Sequence, residues 1–154
     1  MDLQDIRKYL DQLDTALRYI LLQRMALIPL VAETKLEKNI PMYQPGREEQ
    51  IYNSLRDFSL AVGLNPQLLT DIYKTIIKEA HNIENKIIDG IVSSTSSDQH
   101  QNLLDQLEKI DTLIKEYISL IEETRIKSSE LDKPGENFIK IFTDYYKEKI
   151  SSES

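Results

Sequence analysis

The chain has no cysteine and no tryptophan, and only two histidines, four glycines and five prolines among its 154 residues. Without cysteine there is no disulfide framework, no thiolate nucleophile and no thiolate metal site. Two histidines, His81 and His100, are too few for a His-rich metal centre or a Ser-His-Asp triad, and we read no metal site. Long apolar runs are missing too. The longest, Met25 to Ala32, is bounded by Arg24 and Glu33 and is too short to span a bilayer. No basic segment leads into an apolar one at the N-terminus, so no signal peptide is read. Nor is there a basic surplus. The 19 Lys and Arg face 26 Asp and Glu, a net charge of −7, which argues against nucleic acid as the main partner. The expectation left by these absences is a soluble, cytoplasmic protein that binds neither nucleic acid nor membrane.

What the chain does have is leucine, isoleucine, lysine and glutamate in helical periodicity, with little punctuation. Leu3, Ile6, Leu10, Leu13, Leu17, Ile20, Leu21 and Leu27 predict one helix over 2–38, roughly 50 Å long at 1.5 Å per residue. A small chain cannot cover such a helix alone. Pro29 should kink it, because proline has no N–H to donate and its ring displaces the carbonyl of Met25. A loop from Asn39 to Gly46 leads to a second helix, Arg47 to Ala61, ended near Gly63. Asn65 and Pro66 read as the N-cap and first residue of a third helix. Its seam is Leu69, Ile72, Ile76, Ile83 and Ile87, fading at Gly90. Ser93 to His100 reads as a polar break. Leu103, Leu107, Ile110, Ile114, Tyr117 and Ile121 then alternate by four and three, a pairing seam. Lys133-Pro134-Gly135 turns the chain into a last helix over 137–150, followed by a frayed end. No alternating strand pattern competes, so the expected fold is all-α. The expected division is a helical domain over 1–91, a polar linker over 92–102 and a helical extension over 103–150.

The cations that could meet an anionic ligand lie mostly before the break: residues 1–90 hold 11 basic and 13 acidic side chains, and residues 91–154 hold 8 and 13. Arg24 and Lys35 are eleven residues apart. On a continuous helix that spacing returns to within about 20° of one face, about 16 Å along the axis. Arg7 points about 100° away from Arg24 and needs a partner helix to reach the same pocket. The plainer reading of any one of these is a solvated cation on an amphipathic helix. Glu48 and Glu49 beside Arg47 can simply complement a helix dipole. His81 and His100 read as exposed and idle, and Phe138, Phe142, Tyr145 and Tyr146 as packing.

An ordered set of residues resembles the all-helical, type II class of chorismate mutases. It runs Arg7, Leu13-Asp14, Leu21-Leu22, Arg24, Lys35, then Pro41-Met42-Tyr43-Gln44-Pro45-Gly46-Arg47-Glu48, then Ile72-Tyr73, Ile76-Ile77-Lys78-Glu79-Ala80 and Glu84. The likeness covers residues 3–88. It implies an intertwined homodimer of three-helix chains whose long first helices pair across a two-fold axis, here with a C-terminal helical extension. It implies an isomerase of the shikimate pathway and aromatic amino acid biosynthesis, which turns chorismate into prephenate without a cofactor. By resemblance, Arg7 of one subunit and Arg24 of the other bind the two carboxylates. Lys35 donates to the ether oxygen, with Glu84 as the second donor, and these two with Arg24 carry the catalysis. Glu48 takes the C4 hydroxyl and Arg47 orders that end of the pocket. Gln44 and Ala80 occupy substrate-binding positions where an acidic and a polar residue, respectively, are common. Glu84 stands where many bacterial members have glutamine and fungal relatives have glutamate. Pro29 is foreign to the pattern. Three alternatives stay open: a 4-amino-4-deoxychorismate mutase, in which Glu48 would meet an ammonium, an isochorismate pyruvate-lyase, and a non-catalytic mutase-like interaction protein.

The tail has a faint internal echo. Leu107 to Thr112 resembles Leu10 to Thr15, and on that register Arg7 and Arg24 fall on Leu104 and Ile121. Generic likeness between two Leu/Lys/Glu helices accounts for it better than a lost second copy, and the extension is expected to be structural or regulatory.

Overall fold

The computed structural model describes residues 2–90 and 97–129, and every regular element among them is a helix. They are α1 (Leu3–Ala26), α2 (Ile28–Glu37), α3 (Pro45–Val62), α4 (Pro66–Ile88) and α5 (Ser97–Ser129). The chain forms two compact units: Met1–Gln44 with Lys74–Ser96, and Pro45–Tyr73 with Ser97–Ser154. Helix α4 contributes to both.

Helix α1 starts on a capping box that the spacing analysis does not single out. Asp5 N–H donates to Asp2 Oδ1 at 3.0 Å and Asp2 N–H donates to Asp5 Oδ2 at 3.2 Å. The expected single helix over 2–38 is divided at Leu27, two residues before Pro29. The Leu27 N–H bonds Arg24 O at 3.3 Å, and Val31 N–H restarts the ladder on Leu27 O at 3.1 Å. Leu27 keeps right-handed dihedrals (φ −78°, ψ −20°), so the chain continues forward through the break. The missing N–H of Pro29 is the physical cause, and the proline sits in the first turn of α2, where that loss is tolerated.

No residue of α1 is buried, and Leu3, Leu10, Leu13, Leu17 and Ile20 are each more than half exposed. The helical stretch Leu3–Glu37 is long and apolar enough to cross a membrane, by length and composition only. Counting only uninterrupted apolar residues misses this, because Arg18 and Arg24 break the run.

In the first unit the buried apolar side chains are Ile28 and Ala32 of α2 and Ile77, Ala80 and Ile87 of α4. The buried stripe of α4 is Ile77, Ala80, Glu84 and Ile87, so the expected seam is turned: Ile72 is exposed and Ile76 and Ile83 are half-buried. A seam drawn through the largest aliphatics overlooks an alanine and a glutamate that are buried more completely.

In the second unit α3 buries Ser59 and Val62 and ends at Gly63, whose φ of 77° closes the helix with Leu64 N–H on Ser59 O at 2.9 Å. Asn65 caps α4 as expected, its Oδ1 accepting from Gln67 N–H at 3.0 Å. Helix α5 begins at Ser97, inside the segment read as a polar linker. Polar residues are compatible with a helix start, and Gln101 Nε2 bridges to Asp105 Oδ1 at 2.9 Å one turn on. Leu103, Leu107 and Ile110 are half-buried, whereas every residue of 111–120 is exposed, Ile114 and Tyr117 of the expected seam included. The turn at Lys133-Pro134-Gly135, the helix expected over 137–150, its aromatic residues and the side chain of His100 lie outside the described residues.

Candidate active site

The chain is built so that Lys35 is held from three directions. It lies in the last turn of α2. Its carbonyl accepts from Ile40 N–H at 2.8 Å, and Asn39 adopts the left-handed conformation (φ 53°) that this cap requires. Asparagine tolerates that region better than other residues with a side chain, glycine aside. The reversal brings the loop back over the lysine. Lys35 Nζ donates to Met42 O at 2.8 Å, and to Glu84 Oε2 of α4 at 3.1 Å. The two side chains of the ion pair are 14% and 6% exposed.

Burying a glutamate costs free energy unless its charge is matched. Lys35 supplies the match for Glu84, and Met42 O takes a second ammonium proton. An ammonium has three N–H bonds. Two have partners among the described residues, which leaves a third to meet a ligand oxygen. The cluster therefore offers a desolvated, oriented cation beside a carboxyl group that can act as a donor only when protonated.

The other expected site residues are placed unequally. Arg24 is half-buried in the last turn of α1, where its charge complements the helix dipole. Arg7 is exposed on the same helix, about 25 Å away along the axis at 1.5 Å per residue. Arg24 and Lys35 lie on either side of the break at Leu27, Arg24 in α1 and Lys35 in α2. Ala80 is buried one turn before Glu84 and presents only a methyl group. Gln44 is exposed at the end of the loop.

Arg47 and Glu48 belong to the second unit, in the first turn of α3, which starts at Pro45 rather than Arg47. Glu48 is half-buried there and Arg47 is exposed. Burial pushes the Tyr52 phenol above its usual 10.0, and the Glu48 carboxylate adds to the shift.

Two participants escaped the sequence reading. Met42 acts through its carbonyl, which every residue type possesses, so no residue signal marks it. His81 is not exposed and idle: it is half-buried, and its ring lies 6.3 Å from that of Tyr43 at a tilt of 51°.

A family profile described as chorismate mutase type II matches residues 6–85, just over half of the chain. A T-protein of Enterobacter agglomerans is 32% identical over 84 residues, which are 54% of this chain and 22% of that protein. A bifunctional chorismate mutase/prephenate dehydratase of Aquifex aeolicus is 29% identical over 107 residues, 68% of this chain and 30% of the relative. The chain thus spans less than a third of these two relatives. A 4-amino-4-deoxychorismate mutase of Streptomyces venezuelae is 30% identical over 87 residues, 56% of this chain and 84% of the relative. No solved structure matches. The profile's span contains Arg7, Arg24, Lys35, Glu48 and Glu84, and the chain belongs to the type II chorismate mutase family.

Proposed function

We propose that the chain catalyses the rearrangement of chorismate to prephenate in a site shared by two copies of itself. The observation that carries this reading is the Lys35 ammonium, held between Met42 O and Glu84, with its third N–H unpartnered among the described residues.

In this reaction an ether C–O bond breaks as a C–C bond forms, with no nucleophile, no obligatory proton transfer and no cofactor. A protein accelerates it by holding the folded conformer and by setting positive charge where the ether oxygen becomes negative. The third N–H of Lys35 meets that oxygen, and protonated Glu84 donates to it from the other side. Protonation of Glu84 also releases the lysine from neutralisation by a carboxylate. Both effects strengthen as charge develops, so they act on rate more than on capture.

Arg24 binds one substrate carboxylate. Arg7 of the same chain is too far along α1 to bind the other, so the Arg7 that does so belongs to a second copy. The uncovered apolar face of α1 supports that pairing, since a second α1 would remove it from water.

A second reading is 4-amino-4-deoxychorismate as substrate. Gln44 and the Streptomyces venezuelae relative favour it. Incubation with chorismate, its 4-amino analogue and isochorismate in turn, with products identified by mass spectrometry, separates the readings. Prephenate from chorismate is the expected result. Pyruvate released from isochorismate, or no turnover of any of the three, would overturn the mutase reading.

A further inference from the structure

Lys35 is held by contacts that run between the same two pieces of chain, the loop after α2 and the middle of α4. One connection is Met42 O to Lys35 Nζ to Glu84 Oε2, at 2.8 and 3.1 Å. The other is the ring pair of Tyr43 and His81, 6.3 Å between centroids. Tyr43 follows Met42 directly in the loop. His81 precedes Glu84 by three residues, so the two lie within about 60° of one another on α4 and about 4.5 Å apart along it. Two adjacent loop residues are therefore joined to two positions one helical turn apart.

We infer that the Tyr43–His81 ring pair is a positioning clamp for Lys35, and that His81 and Tyr43 are positioning residues for the reaction. The inference rests on the proposed mutase function for its effect on rate. The loop turns at Asn39 and returns over Lys35, so that the Met42 carbonyl meets the ammonium. Without the ring pair, the loop loses a tie to α4 that does not run through the lysine it is meant to orient. The ammonium then shares its directions with a moving acceptor, and its third N–H no longer has a fixed aim. Tyr43 is 62% exposed, so its ring adds little to a core, and its alignment with His81 is what sets its place.

The first test needs no substrate. Competitive acetylation by trace acetic anhydride, read by mass spectrometry, gives the reactivity of Lys35 relative to Lys38, an exposed lysine at the end of the same helix. Tyr43→Ala and His81→Ala should each raise the Lys35 to Lys38 ratio by between about twofold and tenfold, the span expected of one aromatic pair. The double variant should rise no further than either single one, and His81→Phe, which keeps a ring, should stay near the parent value. Tyr43→Ala, at an exposed position, keeps the test valid where His81→Ala folds poorly. An unchanged ratio in Tyr43→Ala, or additive effects in the double variant, would overturn the clamp.

With chorismate, the same variants should lower kcat by a similar factor while KM stays within about twofold, and His81→Phe should restore kcat. A rise in KM alone would contradict a role in aiming Lys35. If the parent protein does not turn chorismate over, the function proposed above falls, and the acetylation ratio still decides the clamp.

Discussion

Lys35 and Glu84, 49 residues apart, meet at 3.1 Å with little solvent at either side chain. The pair joins the last turn of α2 to the buried stripe of α4. An ion pair in this setting is weak evidence of stability, since desolvation offsets much of the attraction. It is better evidence of a site, because a half-buried cation whose third N–H has no partner among the described residues is what a developing negative charge requires.

Lys35→Ala is expected to lower kcat on chorismate by on the order of a hundredfold or more, the usual loss for one preorganised donor. Stability falls as well, because removal of one partner leaves the other uncompensated. Steady-state kinetics below the melting range separates the two effects. A change confined to KM would make Lys35 a binding residue only.

A site shared between two copies predicts complementation. Arg7→Ala and Arg24→Ala should each be nearly inactive. Mixed and allowed to exchange subunits, they should regain activity, because some sites then take Arg7 from one intact helix and Arg24 from another. Demonstrated exchange without any rescue would refute the shared site.

Asn39 is the backbone pivot of the loop, with φ 53°. Asn39→Val should destabilise the chain by about 1–2 kcal/mol, the cost of a branched residue in the left-handed region, whereas Asn39→Gly should be near neutral. Urea denaturation of the three proteins measures the difference. Equal losses for valine and glycine would mean that the side chain of Asn39, rather than its backbone, holds the turn.

The helix ends were legible because they depend on local chemistry. Asn65-Pro66 starts α4 and Gly63 ends α3, each where its residue types place it, and Pro29 breaks the first helix by a loss no neighbour can make good. Tertiary features were less legible. The stripe of α4 passes through Ala80, small, and Glu84, ionisable, whereas a seam through the large aliphatics runs along Ile72, Ile76 and Ile83. The start of α5 at Ser97 is not legible in its polar residues, because polarity marks exposure and does not exclude a helix. Lys35 and Glu84 were paired through family resemblance, since nothing in a spacing of 49 residues brings them together. The Met42 carbonyl and the ring contact of His81 were invisible, for both arise only once the loop has turned at Asn39.

Tyr52 supplies an alkaline prediction. Burial, with the Glu48 charge adding to it, favours the neutral phenol in the folded chain and raises its value above 10.0. The folded protein therefore keeps this proton to higher pH than the unfolded one. Its contribution to stability is complete below about pH 10 and is lost as pH rises through the raised value. Tyr52→Phe should flatten this alkaline limb in melting curves taken from pH 8 upward. An identical limb in both proteins would remove Tyr52 as its source.

If the Lys35–Glu84 pair meets the ether oxygen, turnover at saturating chorismate depends on pH through the proton that Glu84 donates. An ionised carboxylate has no proton to donate. Turnover of the parent protein should therefore climb as pH falls. Glu84→Gln keeps a donor at every pH and leaves Lys35 beside a neutral partner. Its profile should be flat, with relatively more activity at neutral and alkaline pH. Identical profiles for the two proteins would contradict the assignment of Glu84 as the second donor.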